Sequence, residues 1–258
     1  MSILLEAKDL TMNFKGLKAV SGFSVSLEEH KIYGLIGTNG AGKTTVINML
    51  SGVLKPSSGR IIFDGNDITG QRPDKTAKMG ILRTYQNLRL FKKMTVLENV
   101  LIGAQMHKTY NNGEAILGLP RFRKEEKILE KKAMEMLEVM GIASRAHERA
   151  DSLPYGGQRK LEIARILAAK PKLLLLDEPA AGMNPQESAD LVRIIKKIQE
   201  EYDLTILLIE HDMKVVMGLC EYLYVMATGE IIAQGEPKEI RDNPKVIEAY
   251  LGRARKDA

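Results

Sequence analysis

The chain has 258 residues but only one cysteine, Cys220, and no tryptophan. A lone cysteine cannot form an internal disulfide, which excludes a disulfide-built secreted scaffold and points to a reducing compartment. No apolar run approaches the roughly 18–20 residues needed to span a bilayer; Leu173 to Leu176 and Ile206 to Ile209 are of strand length. The opening Met1-Ser2-Ile3-Leu4-Leu5-Glu6 lacks a basic start and meets an acid too early for a signal peptide. There is no low-complexity segment and no internal repeat at solenoid spacing. These absences lead to the expectation of a globular protein of the cytoplasm.

What is present suits that class. Hydrophobic residues make up 44% of the chain and charged residues 28%, enough apolar material for one large α/β domain, or for a core carrying one inserted subdomain. The net charge is +5. The bases are scattered among acids, as in Arg123-Lys124-Glu125-Glu126-Lys127, the composition of a solvated helix face. No nucleic-acid partner is expected on charge grounds.

Along the chain, Leu4 to Phe14 and Val20 to Leu27 alternate as antiparallel strands do. Residues 31–37 form a short apolar strand entering a glycine loop, and Thr44 to Leu50 follow as a helix. Arg60 to Asp64 and Ile81 to Gln86 are strand-like. From Met94 to about Ala150 helical periodicity replaces strand signals. Gln158 to Lys170 is then expected as a helix stopped by Pro171, and Leu173 to Leu176 as a buried parallel strand. The helix Glu187 to Glu201, the buried strand Thr205 to Ile209, a hairpin of Tyr222 to Met226 with Glu230 to Ala233, and a short helix around Val246 to Leu251 complete the pattern.

Gly37-Thr38-Asn39-Gly40-Ala41-Gly42-Lys43-Thr44, with Thr45 after it, fits the phosphate-binding loop and lies between the expected strand and helix. Glycines let successive backbone N–H groups turn inward around phosphate oxygens, and the following helix points its positive end at the same anion. Lys43 supplies a charge between the β- and γ-phosphates of ATP, and Thr44 offers a hydroxyl to Mg²⁺. Leu173 to Leu176 runs into Asp177-Glu178. Asp177 at the strand end suits magnesium, directly or through water, and Glu178 suits a general base for the attacking water. Gln86 either touches magnesium or that water, or is a surface amide. His211 follows its strand in the same way, and either holds the γ-phosphate and orients water or is structural. Tyr155-Gly156-Gly157-Gln158 lies at a helix start, an anion-facing loop or an ordinary cap.

In this order the five features resemble the ATP-binding-cassette ATPases over essentially the whole chain. The resemblance implies an α/β fold: a P-loop NTPase core, its mostly parallel sheet flanked by helices, with an N-terminal antiparallel β subdomain and an inserted α-helical subdomain. Residues 1–87 and 157–258 would be the core of this single cassette, and 88–156 the helical signature subdomain. It implies that Gly37 to Thr44 are Walker A, Leu173 to Asp177 Walker B, Glu178 the catalytic base, Gln86 the Q-loop residue and His211 the switch histidine. Phe14 stands where an aromatic ring stacks on adenine. Gly156-Gly157-Gln158 matches the end of the signature motif, which completes a partner subunit's site in a head-to-tail dimer.

Two departures stand out. Pro154-Tyr155 replaces the usual Leu-Ser of the signature, and Asn184 stands where aspartate is usual, so contact and communication between the paired sites are expected to differ. Arg83-Thr84-Tyr85-Gln86-Asn87-Leu88-Arg89-Leu90-Phe91, Ala180-Ala181-Gly182-Met183-Asn184-Pro185 and Ala249-Tyr250-Leu251-Gly252 resemble the ATPase subunits of branched-chain amino acid importers, of the LivG type. That implies a second ATPase of the LivF type (or a homodimer in isolation), two membrane-spanning permease subunits, and indirectly an external solute-binding protein. The place of work would be the cytoplasmic face of the membrane. A soluble cassette ATPase acting on nucleic acid or ribosomes is the alternative.

Overall fold

Strands and helices follow one another closely in the computed structural model, which describes residues 2–254. In chain order they are β1 (Ile3–Phe14), β2 (Leu17–Glu28), β3 (Ile32–Gly37), α1 (Lys43–Leu50), β4 (Ser58–Phe63), β5 (Asn66–Asp67), α2 (Pro73–Met79) and β6 (Ile81–Arg83). Four helices come next: α3 (Val96–Ala104), α4 (Asn112–Ile116), α5 (Pro120–Val139) and α6 (Tyr155–Ala168). The chain then runs through β7 (Leu173–Asp177), α7 (Pro185–Glu201), β8 (Thr205–Ile209), α8 (Met213–Leu219), β9 (Tyr222–Ala227), β10 (Glu230–Gly235), α9 (Pro237–Arg241) and α10 (Pro244–Ala254). None of the described helices is long and apolar enough to cross a membrane.

Two compact units result. The first comprises residues 1–83, 172–180 and 195–258; the second comprises 84–171 and 181–194. Both sheets belong to the first. A six-stranded sheet has the order β10-β9-β3-β8-β7-β6. Its β3, β8, β7, β6 and β9 are parallel, and β10 closes it antiparallel to β9. Every residue of β3, β7 and β8 is buried, as strands covered on both faces require. Gly34 is needed in β3 because a Cβ there would lie 2.9 Å from the Cys220 sulfur.

The second sheet, β2-β1-β4-β5, is antiparallel. Its alternation is the expected one: Leu5, Leu10, Phe23, Leu27 and Phe63 turn inward and are essentially inaccessible. Each such side chain contributes about 1.5–3 kcal/mol by leaving water.

The helical unit is built on α3, α5 and α6. Thr95 caps α3, accepting from Glu98 N while Glu98 returns a bond to Thr95 N, a reciprocal arrangement that satisfies two end groups. Asn99, fully buried, bonds both the amide and the carbonyl of Phe91 and so fixes the segment ahead of the helix. On α5 the buried positions are Leu129, Ala133, Met136 and Leu137, one face of a 3.6-residue period. Gly103 lets α3 approach α6 closely, since a Cβ there would collide with the carbonyl of Arg165.

Several boundaries differ from the sequence reading. Strand β6 ends at Arg83 instead of continuing to Gln86; beyond it the carbonyls of Tyr85 and Gln86 accept from the Arg159 guanidinium. Helix α6 starts at Tyr155, with Pro154 as its cap and Gln158 N bonded to Pro154 O; the glycines lie inside its first turn and not before it. Helices α2, α8 and α9 add to the pattern expected from the sequence. The helical unit is also wider than residues 88–156, since α6 packs within it.

Candidate active site

The phosphate-binding loop leaves the C-terminal end of β3, the end at which open parallel sheets carry ligands. It turns on Gly40 and Gly42, with φ of 77° and 102°. Gly42 is irreplaceable on a second ground, because a Cβ would sit 2.7 Å from the Ala19 carbonyl. The loop then opens directly into α1 at Lys43. Thr44 is exposed on its first turn and Thr45 is half-buried. The Lys43 ammonium is buried and donates to the carbonyls of Gly37 at 2.7 Å and Thr38 at 3.1 Å. Burial pushes its pKa down, opposed by the charges of Glu178 and Asp177. At the tip of β1, Phe14 is exposed.

Asp177 ends β7 and Glu178 follows with φ of 48°, a left-handed conformation costing a non-glycine residue roughly 1–2 kcal/mol. Such strain persists only where its surroundings over-determine it. Here Glu178 N donates to Ile209 O at 2.9 Å, which extends the pairing of β7 with β8 by one bond. The Glu178 carboxylate lies 3.7 Å from His211 Nδ1. His211 is held in turn by its neighbour: Glu210, buried at the end of β8, accepts from the amides of His211, Asp212 and Ala180. Burial raises the Glu210 pKa in spite of those donors.

Arg83 stands at the end of β6. The structure gives it a role in the site. Its guanidinium donates to Asp177 Oδ2 at 3.3 Å, to Asn48 Oδ1 at 2.6 Å and to Ser51 Oγ at 3.2 Å, with both charged side chains buried. It therefore ties the acid of β7 to the helix that carries Lys43 and Thr44.

Lys43, Thr44, Asp177, Glu178 and His211 all belong to the first unit, whereas Gln86 and residues 155–158 belong to the helical one. Within the latter, Gln86 is exposed and its carbonyl accepts from Arg159 at 2.5 Å. Arg159 also bonds Tyr85 O and Glu162, and donates to the Tyr155 hydroxyl at 3.1 Å. Tyr155 at the signature is thereby engaged inside its own helix, and Gly182 packs against its ring. Gly157 is half-buried and Gln158 donates to Leu153 O. Gly156 is buried, and a Cβ there would lie 3.0 Å from the Glu187 carboxylate. Asn184 and Glu187 exchange side-chain-to-backbone bonds at the start of α7, so the asparagine at this departure serves as a helix cap.

Arg83, Arg159 and Glu210 are the contributors that the sequence did not single out. Chemically the first unit offers a buried lysine whose ammonium is bonded to two neutral carbonyls, a group whose charge an anion completes. Hydroxyl and carboxylate oxygens of Thr44 and Asp177 are the hard donors that Mg²⁺ prefers, so these residues fit a magnesium–nucleotide.

Comparison with known proteins agrees with that chemistry. The ABC transporter family matches residues 20–181, and the family described as branched-chain amino acid ATP-binding cassette transporter matches residues 230–256. The high-affinity branched-chain amino acid transport ATP-binding protein BraF of Pseudomonas aeruginosa is 46% identical over 97% of this chain and 98% of its own length. LivG of Escherichia coli, with the same description, is 43% identical over the same shares. Among solved structures, the ADP conformation of an ATP-binding cassette of an ABC transporter superposes with a TM-score of 0.85 at 34% identity, covering 98% of this chain and all of the other. A nucleotide-free cassette gives 0.83 at 33%, covering 96% and 99%. The loop, the strained glutamate and these likenesses over nearly the full length all lead to one conclusion: the chain belongs to the ATP-binding subunits of ABC transporters.

Proposed function

We propose that this chain is the ATP-hydrolysing subunit that energises uptake of branched-chain amino acids, or a related amphipathic solute, through a membrane importer. The solute rests on the names of the relatives; the hydrolytic role rests on Glu178, which directly follows the buried strand β7 and holds its carboxylate 3.7 Å from His211 Nδ1.

In this reading Glu178 aligns a water for in-line attack on the γ-phosphorus and takes its proton, ADP leaving with the electrons of the broken P–O bond. Lys43 offsets the charge that develops on the phosphoryl oxygens. His211 fixes the Glu178 carboxylate and the γ-phosphate. Thr44 and Asp177 would hold Mg²⁺, which when bound would supply Lewis-acid stabilisation of the phosphate oxygens. Phe14 stacks on the base, with Asn39 to Thr45 enclosing the phosphates. Tyr155 to Gln158 serve the site of a paired ATPase, and Gln86 communicates with the permease. The pair is a LivF-type ATPase, with two permease subunits and an external binding protein, at the cytoplasmic face of the membrane.

Glu178→Gln is expected to retain ATP binding and to lose turnover; near-normal turnover removes Glu178 as base. Capture of the tagged chain from its native cells in mild detergent tests the assembly. Two multi-span proteins and a second ATPase support it. Ribosomes or nucleic acid without membrane subunits would leave only the ATPase standing.

A further inference from the structure

In the sequence, Arg123-Lys124-Glu125-Glu126-Lys127 is a nearly balanced run of charge. Folding separates the signs. Glu125 turns back to accept from the amide and hydroxyl of Thr109, at 2.6 and 2.8 Å. Glu126 accepts from the Tyr110 hydroxyl at 2.6 Å, a bond that with burial pushes the tyrosine up to about 12. Glu114 is spent on the cap of α4, accepting from Asn111 N at 2.7 Å. The three acids of this stretch are half-buried or hydrogen-bonded inward, while Arg123, Lys124 and Lys127 are exposed.

The bases continue along one face. Lys124, Lys127, Ile128 and Lys131 are spaced i, i+3, i+4 and i+7 on α5, and all are exposed. Lys131 meets Glu135 only at 3.8 Å, with both well solvated, a pairing of little strength. Just ahead of α5 stand two apolar side chains that cover nothing: Ile116 is 85% exposed and Leu117 73%. The Arg123 guanidinium lies by Gly118, the residue that follows them, since a Cβ there would be 3.5 Å from it. Scattered exposed leucines are ordinary. Two adjacent aliphatics this bare, beside the exposed Arg123, Lys124, Lys127 and Lys131, are not, although Glu135 is also exposed further along that helix.

We infer that the α4–α5 tip is a lipid-contact surface, Ile116 and Leu117 entering the interfacial layer of a bilayer while Lys124, Lys127 and Lys131 meet anionic headgroups. The physics is that of interfacial anchors, in which a small apolar insertion and a polybasic face act together and neither suffices alone. The partner must be both anionic and apolar at its boundary, which an acidic bilayer is and a nucleic acid is not. This contact goes beyond ATP hydrolysis and needs no permease. It would hold the helical unit at the membrane surface where the transporter works.

The test is co-sedimentation of the full chain with vesicles of phosphatidylcholine alone and of phosphatidylcholine with an equal amount of phosphatidylglycerol. Binding is expected only to the second and is expected to weaken with added salt. Each lysine near an anionic surface contributes about fivefold in affinity, so Lys124→Gln, Lys127→Gln and Lys131→Gln together are expected to weaken binding roughly a hundredfold. Ile116→Ser with Leu117→Ser is expected to weaken it by at least about tenfold. Both variants change exposed side chains only, and unchanged basal ATPase checks that they fold. Equal sedimentation with both vesicle types, no sedimentation with either, or indifference to both variants overturns the inference. So does loss of permease capture in detergent by these variants without any vesicle binding, which assigns the surface to a protein partner. Because the vesicles hold no permease, failure here leaves the transporter reading intact.

Discussion

Arg159 donates to the main-chain carbonyl of Gln86 at 2.5 Å, from a position in α6 four residues after Tyr155. The same guanidinium reaches the Tyr155 hydroxyl and the Glu162 carboxylate, and both Arg159 and Glu162 are fully buried. Within the helical unit, the backbone at the Q-loop position and the residue at the signature position therefore share one cation.

Arg159→Met is expected to cost about 3–5 kcal/mol in urea unfolding, because it leaves the Glu162 carboxylate buried without its cation. The double variant with Glu162→Met is expected to recover part of that loss, since removing both charges removes the desolvation penalty. A double variant no more stable than Arg159→Met would show that the two residues are not coupled.

Arg83→Lys keeps a charge but loses the fork that reaches Asp177, Asn48 and Ser51 together. Its expected effect is on metal use: the Mg²⁺ concentration for half-maximal ATPase rises, while metal-free ATP binding changes by no more than about twofold. Titration with a fluorescent nucleotide, with and without Mg²⁺, separates the two. An unchanged metal requirement would sever Arg83 from Asp177 functionally.

Cys220 is buried, and desolvation, aided by the charges of Glu210 and Glu221, pushes its thiol up to about 12. At pH 8 only ~10⁻⁴ of it is the reactive thiolate. The native chain is expected to resist thiol reagents for as long as it stays folded, and to react in one step on denaturation. Rapid labelling in native buffer would contradict the burial.

Glu210 gives a pH dependence of definite sign. Burial raises its pKa above the ordinary 4.5, so the native state holds that proton more tightly than the unfolded chain. The resulting stability is complete below pH 4.5 and is lost as pH rises through the raised value. Glu210→Gln does not titrate. The stability of the native chain relative to Glu210→Gln should therefore be highest in acid and should fall as pH rises; a relative stability that rises with pH would reverse the assignment.

The phosphate loop, the buried strands and the Asp177-Glu178 end were legible because each carries its physics locally, as glycine spacing, an unbroken apolar run, or acids at a strand's end. Helices α2 and α9 were legible in principle. Pro73 and Pro237 stand in their first turns, and Glu236 with Glu239 makes a reciprocal cap, but helices this short carry too few turns to show an apolar period. Arg83 and Arg159 are different. In sequence they are indistinguishable from solvated arginines, and only the close approach of distant segments buries them against Asp177 and Glu162. The same applies to Glu125 and Glu126, whose inward turn depends on Thr109 and Tyr110, 16 residues earlier in each case.

The positive φ at residue 178 places folding and use in opposition. Glycine would occupy that backbone with less strain, gaining a fraction of the roughly 1–2 kcal/mol that glutamate gives up, and yet it has no carboxylate. Natural selection for a stable chain alone would thus push this codon away from glutamate; under the proposed role of its carboxylate as base, demand for turnover keeps it there. In lineages that no longer need the transporter, position 178 is expected to drift toward glycine or asparagine sooner than the buried strand that leads to it, so its identity serves as a record of whether the engine is still in service.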